Sequence, residues 1–404
     1  MKILAIETSC DETAVAILKA EGKESTARFE IHGNALYSQA KKHAKYGGVY
    51  PTLAKREHAA NIVPLLESAL KEAEMYQKEG KRLTGEENEF LKKLLTRESE
   101  MFRAVVKMFE NVKKPEVDAI AVTQGPGLEP ALWVGINFAR ALGFVWDIPL
   151  LLVNHLEGHI IASSVKKEDD DNTVYTMTKT DFPVLGLILS GGHTEIVHAL
   201  KWGDYSVVGA TRDDSIGEAF DKVARLLNLP YPGGPELSNL AELGRKILLT
   251  RPAHLMKDMV KLPRPMISSN DLDFSFSGIK TAALYYVQKK GELDEMQNKL
   301  FSAEFEEAVS DVILKKVHNA LEQYPSKTLV IGGGVSANKW IRTRLKKNYS
   351  HDTSEYTLKL PLSDLSTDNA VMIGMAGYFM HLRGEPVVQA KNDVIALGNM
   401  CLQK

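Results

Sequence analysis

The two halves of the chain open with the same pattern, and this internal repeat narrows the available folds more than any other feature. The predicted strands are Lys2–Glu7, Ala14–Leu18 and one within Phe29–Leu36 in the first half, and Val184–Ser190, Glu195–Leu200 and Tyr205–Ala210 in the second. Ser9 and Ser190 have the same separation as Thr13 and Thr194. Two matched hydroxyl residues arise easily by chance. Together with the strand series, they favour a duplicated α/β unit.

Composition excludes several classes of protein. The 404 residues suffice for two lobes, and 44% hydrophobic with 25% charged residues is ordinary for a globular chain. A net charge of -2 gives no overall basic field, so any nucleic-acid surface must be local. The cysteines are Cys10 and Cys401, which favours a reducing compartment over a disulfide framework. No signal-peptide pattern and no apolar run of about 20 residues occurs. These features predict a cytoplasmic protein without a membrane contact.

The expected lobes are residues 1–165 and 182–374, with a C-terminal helix, 375–404, returning to the first lobe. Between them, the acidic Val165–Asp181 is typical of an exposed loop at a lobe boundary. Residues 77–114 are rich in lysine and glutamate. Apolar residues recur there at helical spacing, namely Phe90, Leu94, Met101, Val105 and Phe109. This segment is predicted to be an inserted helical hairpin that packs on the first lobe, or on a partner.

Two histidines follow an apolar run that is typical of a buried strand, Ile148–Val153. His155 and His159 are four residues apart, which on a helix places both imidazoles on one face. They are either two ligands of a metal or a capping and a core histidine. Asp368, before a helix expected on the second lobe, is the best third ligand, and two imidazoles with one carboxylate suit catalytic Zn²⁺ or non-haem Fe²⁺. Glu157 is expected beside the ligands, in a register that differs from the zinc-protease motif.

Three glycine-rich turns follow predicted strands: Ser190–Gly192, Gly332–Gly334 and Gln124–Gly127. Glycine allows backbone amides to approach a phosphate closely, so the turns favour a nucleotide held between the lobes, although each alone is equally a tight turn. Asp221 is a candidate for ribose hydroxyls or a solvated carboxylate. Asn338 is a candidate nucleotide contact or a helix cap. The spacings match neither a Walker A loop nor a dinucleotide fingerprint.

The chain closely resembles the tRNA N6-adenosine threonylcarbamoyltransferase family (TsaD), formerly called the glycoprotease or O-sialoglycoprotein endopeptidase family. The resemblance is carried by a series of short motifs. They are Ile6–Thr13; a spaced motif made of His43, Tyr46–Val49, Pro51, Ala54, Arg56 and His58; Gly125–Leu128; His155–His159; Ser190–Thr194; Gly217–Lys222; Pro232–Pro235; Asp273–Gly278; Gly333–Asn338; and Thr367–Asn369. They extend over nearly the whole chain in order, which makes the resemblance specific.

The resemblance implies a duplicated actin-like fold of the sugar-kinase type. It implies transfer of a threonylcarbamoyl group from threonylcarbamoyl-AMP to N6 of adenosine 37 in tRNAs that read codons beginning with A, which gives t6A and AMP. His155, His159 and Asp368 would hold one Fe²⁺ or Zn²⁺. The residues implied to bind the adenylate, or ATP, ADP or AMP in the same cleft, are Ile188, Leu189, Ser190, Gly191, Gly192, Asp221, Gly234 and Asn338. The implied partners are tRNA, an inactive TsaB-type paralogue and a TsaE-type ATPase.

Two further groups carry open interpretations. Asp11 and Glu12 would assist proton removal from the adenine amine, or only cap the first hairpin. A local basic cluster is a candidate tRNA contact or a solvated surface, and consists of Lys41, Lys42, Lys45, Lys55 and Arg56.

The chain departs from the family pattern in the 77–114 insertion, on the lobe where relatives dock the paralogue, and in Ser366, where a cysteine is usual. A kinase or ATPase of the same fold is the alternative, but it would need a glycine in the Glu7–Cys10 turn. A non-catalytic scaffold is a third possibility, and it should lack the metal residues.

Overall fold

A computed structural model describes residues 1–168, 171–250, 260–350 and 356–402. The chain divides into two compact units. The first unit comprises Met1–Ala40, Val49–Lys179 and Asp368–Leu402, and the second comprises Lys41–Gly48 and Thr180–Thr367. Each unit has its own sheet and its own apolar core.

The first unit is built on a seven-stranded mixed sheet. Its strands are β1 (Lys2–Glu7), β2 (Glu12–Glu21), β3 (Arg28–Ser38), β4 (Ala119–Gly125), β5 (Leu150–Asn154), β6 (Val165–Glu168) and β7 (Asp171–Met177). Their order is β5-β4-β1-β2-β3-β7-β6. β1 lies between a parallel and an antiparallel neighbour and is buried after its first residue, which explains its nearly continuous apolar sequence.

The second unit repeats this arrangement. Its strands are β8 (Val184–Leu189), β9 (Thr194–Lys201), β10 (Asp204–Ala210), β11 (Thr328–Gly332) and β12 (Thr357–Lys359). The order β10-β9-β8-β11-β12 matches β3-β2-β1-β4-β5, with the same parallel and antiparallel pairings. The predicted duplicated, actin-like α/β fold is therefore confirmed.

Helices flank both sheets. They are α1 (Ala40–His43), α2 (Pro51–Glu72), α3 (Gly85–Leu94), α4 (Ser99–Asn111), α5 (Glu129–Trp146), α6 (His155–Ala162), α7 (Ile216–Leu226), α8 (Gly233–Thr250), α9 (Ser277–Lys290), α10 (Glu295–Gln323), α11 (Lys339–Tyr349) and α12 (Ala370–Leu382). Local sequence sets several starts. Thr84, Ser215 and Asp294 each close a capping box at the first turn of α3, α7 and α10.

The predicted helical hairpin corresponds to α3 and α4. The buried face of α4 includes Met101, Val105 and Phe109, which join the core of the first unit. Phe90 of α3 stacks on Phe144 of α5, with ring centroids 4.0 Å apart. The hairpin therefore packs on its own unit.

Three expectations need correction. Val165–Asp181 is not an exposed loop, because β6 and β7 form a hairpin whose second strand pairs with β3, while Asp169 and Asp170 lie outside the described residues. The C-terminal helix does not span 375–404, since α12 begins at Ala370 and ends at Leu382, before Gly384 in a left-handed conformation. Asp368 belongs to the first unit rather than to the second lobe, because the helix behind it packs on β1, β2 and β5.

Within the described ranges, no helix is both long and apolar enough to cross a bilayer.

Candidate functional site

A strand-to-helix junction positions the two histidines. β5 ends at Asn154, whose side chain accepts hydrogen bonds from the backbone N–H groups of Leu156 and Glu157 and so starts α6. His155 is the first residue of that helix, and His159 follows one turn later. Both imidazoles are buried, and their ring centroids are 4.7 Å apart. The local sequence therefore directs both rings to one face of α6.

The start of α12 brings in the carboxylate. Asn369 caps this helix by accepting a hydrogen bond from the Met372 N–H. A Cβ added at Gly374 would lie 2.2 Å from Leu18 Cδ2, so glycine is required for the close approach of α12 to β2. α12 also packs on α6. Asp368, just before the cap, is thereby placed beside the two histidines.

The three predicted ligands lie together in the first unit. Asp368 Oδ1 is 3.1 Å from His159 Nε2 and 3.3 Å from His155 Nε2. One donor atom from each residue falls within 4.8 Å of the others. Among the described residues this is the one group of three or more such side chains with that geometry.

The neighbouring histidines keep the Asp368 carboxylate of the cluster ionised. Burial opposes ionisation of Asp368, but the neighbouring His155 and His159 outweigh it and hold its pKa well below the usual range. Burial also opposes charge on His155, yet the carboxylates of Asp368 and Glu7 raise its pKa well above the ordinary value. Burial lowers the pKa of His159, and Asp368 only partly offsets this. A cation is therefore favoured at this position, as a proton or as a metal ion.

The donor set fits a divalent metal. At Zn–N distances of about 2.0–2.1 Å, neighbouring ligands of one tetrahedral ion are roughly 3.3 Å apart, close to the separations of Asp368 from the two histidines. The Asp368 side chain is 19% exposed, whereas those of His155 and His159 are 6% and 1% exposed. A bound ion would therefore meet solvent or substrate on the Asp368 side. Two imidazoles and a carboxylate leave coordination positions free, as catalytic sites do.

The sequence missed the residue that contacts His155 from behind. Glu7, fully buried at the end of β1, places its Oε2 2.9 Å from His155 Nδ1. The sequence instead favoured Glu157 for that position. The Glu157 carboxylate accepts hydrogen bonds from Arg383, at 2.9 and 3.2 Å. No local pattern marks a contact between residues so far apart in sequence.

Glu12 lies close enough to Asp368 for their charges to interact, and Asp11 precedes it in the chain. Burial, then the charges of Asp11 and Asp368, raise the pKa of the Glu12 carboxyl well above its ordinary value. Glu12 also accepts a hydrogen bond from Ser38 Oγ, at 3.1 Å. The interaction between the Asp11 and Glu12 carboxyls is compatible with a role in proton transfer, and the hydrogen bond from Ser38 of β3 to Glu12 is compatible with a structural role.

The predicted adenylate residues lie in the second unit, around the carboxyl end of β8. Ile188 and Leu189 end that strand, and Ser190 Oγ accepts a hydrogen bond from the His193 N–H. Gly191 and Gly192 are exposed, and a Cβ at either would meet nothing within 4 Å.

Two helices close around this turn. Ser215 Oγ donates to the Gly191 carbonyl at 2.5 Å, which brings the start of α7 to the turn. Asp221 of α7 accepts a hydrogen bond from the Gly233 N–H, which links it to the start of α8 beside Gly234. The carboxyl end of a strand facing helix starts is a common position for phosphate groups.

Asn338 is confirmed as a helix cap. Its Oδ1 accepts hydrogen bonds from the N–H groups of Trp340 and Ile341. Its Nδ2 donates to Ser238 Oγ at 2.8 Å and to Glu306 Oε1 at 2.6 Å. A bound nucleotide would have to share or displace one of these contacts.

The basic cluster is divided between the units. Lys41, Lys42 and Lys45 belong to the segment grouped with the second unit, whereas Lys55 and Arg56 belong to the first. Lys55 Nζ forms an ion pair with Glu98, at 2.6 Å. The Lys55 charge is therefore paired within the first unit.

The fold and the cluster together define a class: duplicated α/β proteins with a candidate catalytic metal centre of two histidines and one aspartate. Comparison with known proteins identifies the family. The model of the family described as "TsaD: tRNA N6-adenosine threonylcarbamoyltransferase" matches residues 30–82 and 99–375. The chain belongs to the tRNA N6-adenosine threonylcarbamoyltransferase family. The family model does not match residues 83–98, which contain α3. The insertion relative to the family is therefore shorter than the predicted 77–114.

Relatives with that name cover almost all of the chain. The protein of Bacillus cereus is 39% identical over 391 residues, 96% of this chain and 94% of its own length. That of Streptococcus gordonii is 38% identical over 377 residues, 93% of this chain and 90% of its own length. Among solved structures, full-length HypF in its phosphate- and nucleotide-bound form is 13% identical, with a TM-score of 0.47 over 94% of this chain and 55% of that one.

Proposed function

We propose that the chain transfers a threonylcarbamoyl group from threonylcarbamoyl-AMP to N6 of adenosine 37 in tRNAs that read codons beginning with A, releasing AMP. Family membership supports a transferase of tRNA modification. The observation that carries the rest is the cluster of His155, His159 and Asp368, whose donor atoms fall within 4.8 Å of one another. A TsaB-type paralogue and a TsaE-type ATPase are the proposed protein partners, and the cytoplasm the proposed location.

His155, His159 and Asp368 would hold one Fe²⁺ or Zn²⁺. When bound, such an ion would supply Lewis-acid stabilisation of charge that develops on the donor. Ser190–Gly192, Asp221, Gly234 and Asn338 would bind and orient the adenylate.

The reaction places few demands on a base. N6 of the adenine attacks the carbamoyl carbon of the mixed anhydride, the bond from that carbon to the AMP oxygen breaks, and the amine proton leaves. Asp11 and Glu12 are proposed to accept that proton as a pair. Adenine amines are weak nucleophiles, so positioning contributes more to the rate than a strong base does.

The alternative of a kinase or ATPase is less well supported. Such an enzyme would use the turn after β1 for phosphates. In this chain the Ser9 N–H in that turn donates to the Glu7 carboxylate, and a buried carboxylate there repels a phosphate.

The test is a transfer assay on unmodified tRNA with synthetic threonylcarbamoyl-AMP and the full partner set, read as modified adenosine by mass spectrometry. Wild-type protein should form t6A. His155→Ala should lose both metal and at least about 100-fold in rate without unfolding, because a ligand is lost. His381→Ala, an exposed histidine of α12, is the matched control and should retain both. No product from the wild type, or full metal occupancy in His155→Ala, would contradict the proposal.

A further inference from the structure

The buried carboxylate behind His155 has a geometry that a simple packing role does not explain. Glu7 is fully buried at the end of β1. Its Oε1 accepts a hydrogen bond from the Ser9 N–H, and its Oε2 accepts one from Thr123 Oγ1 at 2.6 Å. The remaining contact of Oε2 is His155 Nδ1, at 2.9 Å. Both oxygens thus already serve as acceptors, which is the arrangement of an ionised carboxylate.

An acceptor at that position decides where the imidazole carries its hydrogen. Because Glu7 has no proton to donate, the hydrogen between the two groups belongs to His155 Nδ1. Nε2 is then the nitrogen that can give up its hydrogen and offer its lone pair to a metal ion. That atom lies 3.3 Å from Asp368 Oδ1, on the side where His159 Nε2 also lies. Ser9 Oγ, 3.3 Å from Nδ1, is a longer second contact on the same side of the ring.

The sheet holds Glu7 rigidly. β1 and β4 are adjacent parallel strands, with Ile6 opposite Val122. Glu7 and Thr123 follow these paired residues and are joined side chain to side chain across the two strands. The hydrogen-bonded series Thr123–Glu7–His155 therefore fixes the imidazole from the sheet, independently of α6. Carboxylates in this position behind metal-binding histidines orient the ring and raise its basicity.

We propose that Glu7 is a positioning residue that holds His155 in the Nδ1–H tautomer and thereby presents Nε2 to the metal. This inference rests on the proposed metal centre and adds a residue outside its ligand set.

Glu7→Gln is the sharpest test, because it keeps the shape and removes one acceptor. A glutamine has a single side-chain oxygen, whereas Ser9 N–H, Thr123 Oγ1 and His155 Nδ1 together need acceptors at both positions. With its NH₂ group towards His155, glutamine would donate to Nδ1 and shift the hydrogen to Nε2. The dissociation constants for Zn²⁺ and Co²⁺, measured against a chromophoric chelator, should rise about 10–100-fold.

A second readout does not depend on metal. Nitrogen NMR of metal-free protein with labelled histidine should show a hydrogen on His155 Nδ1 in the wild type, whether or not Nε2 is also protonated, and loss of that Nδ1 hydrogen in Glu7→Gln. The His155 signal is assigned among the 11 histidines by its absence from His155→Gln.

Two further variants separate positioning from a general effect of burial. Thr123→Val retains the Glu7 charge but removes the hydrogen bond to Oε2, so it should weaken metal binding less, about 3-fold, in the same direction. Thr123→Val also provides the test of metal binding if Glu7→Gln fails to fold. Glu157→Gln removes a buried carboxylate on α6 that pairs with Arg383, and metal affinity should change less than 2-fold.

The outcomes distinguish this inference from the proposed function. Tight metal binding in both Glu7→Gln and Thr123→Val, with the Nδ1 hydrogen of His155 retained in Glu7→Gln, would overturn the role of Glu7 and leave the metal centre intact. A wild-type protein that binds neither ion would overturn the metal centre, and the role of Glu7 with it.

Discussion

Each unit contains a fully buried glutamate, but the negative charges of the two carboxylates are compensated by different kinds of partner. In the second unit, Glu306 of α10 accepts hydrogen bonds from Ser238 and Asn338, and its Oε2 lies 2.7 Å from Arg245 Nη1, as an ion pair rather than a well-directed hydrogen bond. In the first unit, Glu7 and Asp368 contact imidazoles. Within the described ranges, neither forms an ion pair with lysine or arginine.

The difference indicates which group is structural and which is open to a ligand. Arg245 carries a permanent positive charge and also lies 4.1 Å from the centroid of the Trp340 ring, so the charge of Glu306 is balanced within the protein. The cluster of His155, His159 and Asp368 depends on an imidazole proton or on an added cation for its balance. A buried carboxylate without a permanent partner is costly, which favours uptake of a metal ion.

The largest expected effect is the stabilisation of the first unit by metal. Free Zn²⁺ at 1,000 times its dissociation constant should raise the free energy of unfolding by about 4 kcal/mol, because only the folded cluster assembles the three ligands. Asp368→Ala should abolish this increase. Denaturant unfolding with and without metal measures both. An equal increase in Asp368→Ala would show that the ion binds elsewhere.

Glu306→Gln should have the next largest effect, and it should not depend on metal. The variant leaves the buried Nη1 of Arg245, a side chain that is otherwise 19% exposed, without its counter-charge, which should cost about 3 kcal/mol of unfolding free energy. Replacing Arg245 by methionine in the same chain should recover part of the loss. Denaturant unfolding of both variants is the measurement. A metal-dependent loss would contradict the distinction between the two glutamates.

The ligand cluster was partly predictable because its signals are local. The spacing of His155 and His159 and the cap-type residues around Asp368 are visible in short stretches of sequence. Glu7 was not, since its contact with His155 joins residues 148 positions apart and depends on how β1 and α6 meet. The acidic 165–181 segment looked like a loop for a related reason. Its second strand is stabilised by pairing with β3, a tertiary contact that outweighs local propensity.

Lys359 is a buried positive charge in the second unit, and it tests whether buried cations there are compensated as fully as the Glu306 carboxylate. It ends β12, is 6% exposed, and donates to Thr180 Oγ1 at 2.5 Å. Burial lowers its pKa from 10.5 to about 8, and the charge of Asp181 does not make up the difference. The positive charge of Lys359 is therefore only partly compensated, whereas the negative charge of Glu306 is paired with Arg245.

The sign of the pH dependence follows from that pKa. Between about pH 8 and 10.5 the unfolded chain binds more protons at Lys359 than the folded chain, so wild-type stability should rise with pH in this window. Lys359→Met removes the cost of burying the charge and loses a hydrogen bond to Thr180. It should be more stable by about 2 kcal/mol at pH 7. Its advantage should shrink as pH rises through 8 and reverse before pH 10.5, where the wild type should be more stable by about 1 kcal/mol because it keeps the hydrogen bond to Thr180 without a buried charge, as measured by urea unfolding across the range. Lys347→Met, at an exposed position of α11, is the control and should change stability by less than about 0.5 kcal/mol at every pH. Parallel curves of unfolding free energy against pH for Lys359→Met and wild type would contradict this expectation. They would show that the charge of Lys359 is as well compensated as that of Glu306.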